Sequence, residues 1–376
     1  MDILKTIVET FFRLFGFPTK TGLRLFGNPG PNAPVFVTGN FDLTVRRVSK
    51  HLKGLDCYLL VAPTRGINVW CAAAGGFFNA HSVISVVKTS RIGEKVRHRT
   101  LILPQLSAPG VDIEWVKRET GWHCKFGPVY ARDIPEYVKN RFRKTEEMSR
   151  ARFPLSDRLE MAAMWAASGS IVVGIILLVF NRGALPGALA LIWGLAVAFF
   201  AFFEPLLRYL PGKTGLHKTL FLGLLVAVGL TLYGLFVGGW GLKGTIGWSV
   251  GTLLVAAMLG FDLEGQSPLY AGSTITYWGE RWPWVLDIWG RLGFQMEPSF
   301  TVHVDAALCT GDGMCTQVCP KGVYALYQVE GSKRKKSRVV NLDACEQCTA
   351  CVKQCPSGAI WTEPPIKTFE PAEVLA

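Results

Sequence analysis

The densest chemical signal in the chain is a run of cysteines near its end. Residues 345–356 read CEQCTACVKQCP, which is the spacing C-x2-C-x2-C-x3-C-P. Thiolates at this spacing bind [4Fe–4S] clusters, with the fourth cysteine serving a second cluster. A structural zinc site needs only four ligands, whereas seven cysteines lie between residues 309 and 355. The pattern therefore predicts a region that holds two iron–sulfur clusters.

The partner run, CTGDGMCTQVCP at residues 309–320, is altered because Asp312 stands where the second cysteine belongs. If the two runs exchange their fourth ligands, one cluster is fully bound by thiolates and the other has a carboxylate as its candidate fourth ligand. A carboxylate oxygen is a harder ligand than sulfur. We therefore expect the cluster with the carboxylate to be an Asp-ligated [4Fe–4S] or a [3Fe–4S] cluster. The thiolate set is Cys319, Cys345, Cys348 and Cys351, and the mixed set is Cys309, Asp312, Cys315 and Cys355.

A single cysteine, Cys71, lies in the stretch GINVWCAAAGG between an apolar run and small residues. Composition alone favours a core thiol there, as it does for Cys57 and Cys124 within apolar runs.

The elements around Cys71 alternate between strands and helices. Apolar runs predict strands over 34–40, 57–62, 67–71, 100–105 and 123–129, and helical spacing appears over 42–52, 78–90 and 112–121. The last helix has Asp112 as its N-cap and Gly121 as its stop. This order predicts an open α/β domain whose ligands lie at the carboxyl ends of its strands. The residues at such ends are Thr38, Asn40, Cys71, Pro104 and Gln105.

Four apolar runs are long enough to cross a bilayer, at 161–180, 184–203, 218–238 and 244–261. The chain is 49% hydrophobic and carries a net charge of +12, with 24 Lys/Arg against 13 Asp/Glu within residues 1–157. Because Lys and Arg concentrate before the first run and between the second and third, we expect a multi-pass protein of the cell membrane with both soluble ends in the cytoplasm. The basic residues then indicate anionic lipid, and nothing indicates nucleic acid.

The expected organisation is an α/β domain at 1–157, membrane helices within 158–262, a connector at 263–300, a cluster domain at 301–364 and a tail at 365–376. Charges interrupt the aromatic stretch 277–294, which favours an interfacial helix over a fifth span. On the reducing cytoplasmic side, the cysteines are not a disulfide framework. The basic insertion EGSKRKKSR at 330–338 is interpreted as a solvated hairpin tip.

Two resemblances add to these predictions. Residues 301–364 resemble a two-cluster bacterial ferredoxin. GINVWCAA resembles the motif N-(V/I)-W-C-A-A-G-K of the mercury-methylation corrinoid protein family HgcA. The likeness extends through VTGNFDL, GLDCYLLV, RTLILPQLSAPGV, RETGWHCKFGPV, RFPLSDRL and FDLEGQSPLYAG. The chain thus looks like that protein fused to its ferredoxin partner, HgcB. More distantly, its first domain resembles the corrinoid iron–sulfur protein of acetyl-CoA synthesis.

The resemblance implies a helix beneath a corrinoid such as cobalamin, with Cys71 as the thiolate ligand of cobalt. The flanking residues would be Asn68, Val69, Trp70, Ala72 and Ala73. It also implies a corrinoid-dependent methyltransferase of anaerobic metabolism, loaded by a methyl-pterin-dependent enzyme and kept at Co(I) by a low-potential electron donor, with Hg(II) as acceptor. Here Ala74, Gly75 and Phe77 depart from the family's motif, and no vicinal cysteine pair follows Cys355. The acceptor stays open, and the alternative is a membrane-anchored electron carrier or metal-sensing module without corrinoid.

Overall fold

A computed structural model gives the structure of the protein and describes residues 3–13, 15–203, 209–211, 215–260, 300–345, 347–363 and 365. The chain forms two compact units. One unit comprises Met1–Leu14 and Phe153–Pro268, and the other comprises Phe15–Arg152 and Leu269–Ala376. The predicted interfacial helix at 277–294 lies outside the described residues.

The second unit begins with a five-stranded sheet of order β1-β3-β2-β4-β5. The strands β2, β3, β4 and β5 are parallel, and β1 pairs antiparallel with β3 at the edge. Every residue of β2 and β3 is buried, as expected for strands covered on both faces. The strands are β1 (Gly22–Phe26), β2 (Val35–Gly39), β3 (Cys57–Ala62), β4 (Thr100–Leu103) and β5 (His123–Phe126).

The helices of this domain are α2 (Asp42–Leu52), α3 (Val69–Ala74), α4 (Ala80–Ser90), α5 (Ile113–Thr120) and α6 (Ile134–Lys139). The predicted ends of α5 are confirmed. The Asp112 side chain accepts a hydrogen bond from the Trp115 N–H, and Gly121 adopts the left-handed conformation that ends a helix. The α/β class predicted from alternating runs therefore agrees with the structure.

The predicted strand over 67–71 is wrong, because these residues enter helix α3. The Asn68 side chain accepts a hydrogen bond from the Cys71 N–H at 3.0 Å and so caps the helix start. Three alanines then follow Cys71, and alanine has the highest helix propensity. The apolar, β-branched residues before Cys71 favoured a strand, but the cap and the alanines decide the local structure.

Among its described residues, the first unit contains four helices that are long and apolar enough to cross a membrane. Their predicted positions agree with the structure, although the first begins at Leu155. A preceding amphipathic helix, α1 (Ile3–Phe11), belongs to this unit, where Arg13 pairs with Glu160. The long helices are α7 (Leu155–Phe180), α8 (Leu185–Val197, continued by a π-helical stretch Ala198–Phe203), α9 (Gly215–Phe236) and α10 (Leu242–Gly260).

The cysteine-rich part of the second unit contains two small antiparallel sheets, each of two strands. The first pairs β6 (Thr301–Val304) with β9 (Ile360–Glu363), and the second pairs β7 (Tyr324–Tyr327) with β8 (Lys336–Val339). Two short helices, α11 (Met314–Val318) and α12 (Ala350–Gln354), each contain one cysteine and lead into another. Loops and single turns therefore position most of the sulfur atoms.

Candidate functional site

Four cysteines from both runs line one cavity, together with Phe300, Val302, Val323 and Tyr324. They are Cys319, Cys345, Cys348 and Cys351. This is the set that the crossed spacing predicts for the all-thiolate cluster. Four soft donors around an apolar cavity match the chemistry of a [4Fe–4S] cluster. The donor set present in the structure therefore fits such a cluster.

Hydrogen-bond donors are directed at the sulfurs of this set. The Tyr324 hydroxyl donates to Cys351 Sγ at 3.0 Å, and the Val323 N–H donates to Cys319 Sγ at 3.5 Å. Tyr324 is buried, and its pKa is raised first by that burial. Hydrogen bonds to cluster sulfurs stabilise the more negative, reduced state, so these donors would tune the reduction potential.

Two cysteines of the mixed set, Cys309 and Cys315, lie beside strand β8. The Ser337 N–H donates to Cys309 Sγ at 3.4 Å, and the Cys315 thiol lies 3.1 Å from Ser337 Oγ. Cys355 Sγ lies 3.6 Å from Ser357 Oγ. Ser337 in β8 therefore brings Cys309 and Cys315 together.

Asp312 is exposed, and its carboxylate takes part in a local turn. One oxygen accepts from the Met314 N–H and the other from the Thr310 hydroxyl, both at 2.8 Å. Among the described residues, no group of three or more His, Cys, Asp or Glu side chains could hold a single metal ion. Iron ligation by Asp312 remains a prediction.

Burial keeps several of these thiols protonated when no metal is bound. It raises the pKa of Cys351 to about 12, although the hydrogen bond from Tyr324 lowers it. It also raises the pKa of Cys348 and of Cys315. Because only the thiolate binds iron, cluster assembly at this site releases protons and depends on the positive charge of iron.

Helix α3 carries Cys71 on a partly exposed position beyond the end of β3, whereas Ala72 and Ala73 are buried in the α/β core. Gly110 lies close against α3 and the turn after it. A Cβ atom on Gly110 would lie 2.7 Å from Ala73 O and 2.3 Å from Phe78 O. The close approach thus joins α3 to the loop after β4. The remaining motif residues, Asn68, Val69 and Trp70, are partly exposed like Cys71.

The Thr38 side chain, in β2, is an orphaned polar group near the same sheet edge. It is 2% exposed, and its hydroxyl has no hydrogen-bond partner within the described part of the chain. Buried hydroxyls are nearly always paired, which makes this one a candidate contact for a bound group. The half-exposed Cys71 thiol and this hydroxyl fit a polar macrocycle at the carboxyl edge of the sheet.

Asn40 and Gln105 form hydrogen bonds within the protein, and their predicted contact with a cofactor stays a prediction. Asn40 Oδ1 accepts from the N–H groups of Thr64 and Gly66, both at 2.9 Å, and so holds the loop that leads into α3. Gln105 Nε2 donates to Ser149 O at 2.8 Å and to Val318 O at 3.4 Å. These hydrogen bonds fix the loops on which both residues lie. Pro104 precedes Gln105 and caps the same turn.

The cysteine-rich part packs directly on the α/β domain. Gln354 Nε2 donates to Ala108 O at 2.9 Å and to Val111 O at 2.7 Å, and Lys353 donates to Pro109 O at 2.8 Å. These acceptors belong to the loop after β4 that contacts α3. The sequence does not reveal this interface, because its main acceptors are backbone carbonyls.

A partly buried lysine, Lys144, reinforces the interface. Its ammonium donates to Gln105 Oε1 at 2.8 Å and to Gln317 O at 2.9 Å. Burial lowers the pKa of Lys144 to about 7. These two hydrogen bonds connect the turn after β4 to helix α11.

The hydrophobic core of the α/β domain extends to the cluster cysteines. Ala72, Ala73 and Phe78 share one core with Val318 and Ala350, each of which is adjacent to a cysteine of the all-thiolate set. Cys348 and Cys351 themselves pack against that core. The all-thiolate set and helix α3 thus contact the same body of packed side chains.

Comparisons with known proteins identify both domains. Residues 17–138 match the family described as "CO dehydrogenase/acetyl-CoA synthase delta subunit", and residues 301–356 match the family described as "4Fe-4S dicluster domain". The chain joins a corrinoid/iron–sulfur protein-like domain to a 4Fe–4S dicluster domain.

Curated relatives match about a third of the chain. An acetyl-CoA decarbonylase/synthase complex subunit gamma of Archaeoglobus fulgidus is 41% identical over 110 residues, covering 29% of this chain and 23% of the relative. The corrinoid/iron–sulfur protein large subunit of Moorella thermoacetica is 32% identical over 119 residues, covering 31% of this chain and 26% of the relative. The chain spans about a quarter of the length of these relatives.

Proposed function

We propose that the protein is a membrane-bound corrinoid protein that takes up and transfers a methyl group, and that its own ferredoxin domain restores the reduced cobalt. In the finer form of the proposal, it corresponds to the mercury-methylation corrinoid protein HgcA fused to its ferredoxin partner HgcB. The enzyme would be a corrinoid-dependent methyltransferase.

One observation carries the proposal. Cys348 and Cys351 of the all-thiolate set pack against the same hydrophobic core as the alanines that follow Cys71. The ferredoxin domain also contacts the loop that packs against α3, which is the arrangement expected if it transfers electrons to a group bound near Cys71. Fusion of the two domains also raises their effective concentration for each other.

When bound, a corrinoid would supply a cobalt atom that takes up a methyl group in its Co(I) state, passes the methyl group to an acceptor and must then be returned to Co(I). Cys71 would supply the thiolate ligand to cobalt. The Thr38 hydroxyl would donate to or accept from the corrinoid, which would satisfy a buried group that otherwise has no partner in the described chain. Asn68 caps α3 and Asn40 fixes the loop before it, so both would hold the thiol in place.

The cluster ligands follow the two sets. Cys319, Cys345, Cys348 and Cys351 would hold one [4Fe–4S] cluster, and Cys309, Cys315 and Cys355, with Asp312 as candidate fourth ligand, would hold a [4Fe–4S] or [3Fe–4S] cluster. All-thiolate clusters reach potentials as low as about −700 mV, low enough for the reduction of cobalt to Co(I).

The proposed setting is the cytoplasmic face of the cell membrane of an anaerobic organism. The four apolar helices would anchor the protein, and their even number would keep both soluble domains on one side. The methyl donor would be a methyl-pterin-dependent enzyme. Hg(II) is the acceptor to test first, because the motif around Cys71 resembles that of the mercury-methylation family.

The decisive experiment is the absorbance spectrum of anaerobically purified full-length protein, followed by reconstitution with methylcobalamin. We expect corrin bands beside iron–sulfur absorption in the native protein. Cys71→Ala should change the cobalt absorption, because it removes a sulfur ligand. Cys57→Ala is the matched control, since Cys57 is a fully buried core thiol whose pKa burial raises to about 12.

Two outcomes would count against the proposal. An unchanged cobalt spectrum in Cys71→Ala would remove the ligand role. Clusters without any corrinoid, in native or reconstituted protein, would favour the membrane-anchored electron carrier or metal-sensing module.

A further inference from the structure

The most strongly charged exposed feature of the cysteine-rich part is the hairpin tip between β7 and β8. Residues 330–338 contain five Lys or Arg residues and one Glu. Of the cations, Lys333, Arg334, Lys335 and Arg338 are exposed. None of these four forms an ion pair with another described residue. We call residues 330–338 the basic tip.

The basic tip contacts the loop that starts the mixed cysteine set. Lys336 donates from its ammonium to Cys309 O, and the Ser337 N–H donates to Cys309 Sγ at 3.4 Å. The approach is close, since a Cβ atom on Gly311 would lie 2.0 Å from Lys335 O. Gly311 has a φ of +73°, which also favours glycine. The exposed charges are therefore fixed beside Cys309 instead of on a detached loop.

Individual cysteines of the two sets have different surroundings, although Cys315 and Cys355 of the mixed set share one core with Cys319, Cys345 and Cys351. Cys348 and Cys351 of the all-thiolate set pack against the core of the α/β domain. Cys309 of the mixed set is covered by β8 and the basic tip. Electrons that reach the α/β domain through the all-thiolate set would have to enter the protein elsewhere, and the basic tip marks the mixed set as that entrance.

We propose that the basic tip is the docking surface for an acidic electron-transfer protein of low potential, which delivers electrons to the cluster of the mixed set. The inference rests on the proposed function for the destination of the electrons. In the step itself, one electron leaves the reduced donor protein and one enters the oxidised cluster, with no bond or proton transferred. Positive and negative surfaces raise the encounter rate of such partners and lose this effect as salt increases.

An anionic lipid surface is the other binding partner that a cluster of cations could attract. The contacts with Cys309 favour the electron-transfer protein. Binding to lipid would not require the cations to lie beside a cysteine of a cluster, whereas electron transfer would.

The test uses the full-length protein in nanodiscs of neutral phosphatidylcholine, with a reduced acidic bacterial ferredoxin as the probe. The variant is Lys333→Glu, Arg334→Glu and Lys335→Glu combined. The control is Lys50→Glu, Lys53→Glu and Lys95→Glu combined, which makes the same charge change at three exposed lysines of the α/β domain. Binding is measured as the Kd, and reduction of the clusters is followed by stopped-flow absorbance.

We expect the variant of the basic tip to weaken binding and slow reduction by the acidic ferredoxin by about tenfold or more at low salt. Native protein and control should show the same rate, which falls as salt rises. Reduction by the small reductant dithionite should be equal in all three proteins, which would show that the clusters are intact.

Equal Kd values and rates in the variant and the native protein would overturn the proposal. So would a variant that has lost only its binding to nanodiscs containing anionic phosphatidylglycerol, since that would identify lipid as the partner. Formation of Co(I) with dithionite is measured in parallel. If that fails while the ferredoxin effects appear, the proposed function is wrong and the docking surface stands.

Discussion

Tyr324 is the clearest single residue that would tune a cluster. Its buried hydroxyl donates to Cys351 Sγ at 3.0 Å, and this donor favours the extra negative charge of the reduced cluster. Tyr324→Phe keeps the ring and removes the donor. We expect the potential of the all-thiolate cluster to fall by roughly 40 mV, if the lost hydrogen bond is worth about 1 kcal/mol for one electron.

A redox titration followed by electron paramagnetic resonance measures this shift. Tyr327→Phe is the control, because Tyr327 lies in the same strand and contacts the Arg338 guanidinium instead of a cysteine. A potential unchanged in Tyr324→Phe, or shifted equally in both variants, would show that the hydroxyl does not act on the cluster.

Asp312 should make the two clusters unequal. Its carboxylate holds iron less firmly than a thiolate would, and both of its oxygens already accept hydrogen bonds in the turn. Brief oxidation should therefore produce a [3Fe–4S] paramagnetic signal from the mixed set alone. Asp312→Cys should abolish the signal, whereas Asp312→Asn should retain it.

Iron titration of the reduced protein separates the two roles of Asp312. Uptake of a fourth iron would support ligation, and failure to take it up would leave Asp312 as a turn residue only. A signal that persisted in Asp312→Cys would contradict the assignment of the weak ligand.

At the scale of elements, the position of α3 depends on Gly110. A Cβ atom at this position would overlap Ala73 O and Phe78 O, so Gly110→Ala should force α3 and the loop apart at a cost of about 1–3 kcal/mol. We expect a lower unfolding temperature and weaker corrinoid binding. Gly30→Ala is the control, because no atom lies within 4 Å of its added Cβ. Equal thermal unfolding of the two variants would contradict this account.

Local signals in the sequence predict most elements of the α/β domain. Helix α2 is found at its predicted positions. Asp112 caps the start of α5 and Gly121 ends it, as predicted for an aspartate and a glycine at these positions. The prediction fails at α3, because the β-branched residues before Cys71 suggested a strand while the Asn68 cap started a helix. The edge strand β1 was not predicted, since its five residues, four half-buried and one exposed, include Arg24 and show no clear alternation.

In the candidate site, too, the sequence predicts some features and not others. Cysteine spacing alone identifies the four residues that line one cavity. By contrast, the hydrogen bonds of Asn40 and Gln105 depend on partners that are distant in sequence, such as Gly66 and Val318. Packing of the cysteine-rich part on the α/β domain relies on backbone carbonyls, which every sequence offers equally.

At the scale of the whole molecule, the proposed function requires both soluble domains on one side of the membrane. The contacts of Gln354 and Lys353 with the loop after β4 can form only in that case. The four apolar helices of the described residues would satisfy the requirement, and the lysines and arginines before the first helix favour the cytoplasm for both domains.

Single reporter cysteines and a membrane-impermeant maleimide test this topology, with peptide mapping to distinguish the reporter from native cysteines. Lys53→Cys and Lys333→Cys report on the two soluble domains, and Gly183→Cys and Lys243→Cys report on the turns after α7 and before α10. All four positions are exposed. We expect the first pair to react only in inverted vesicles and the second pair only in intact cells. If the first pair reacted on opposite faces, an odd number of crossings would separate the domains, and the interface at Gln354 and the internal reduction of cobalt would both be excluded.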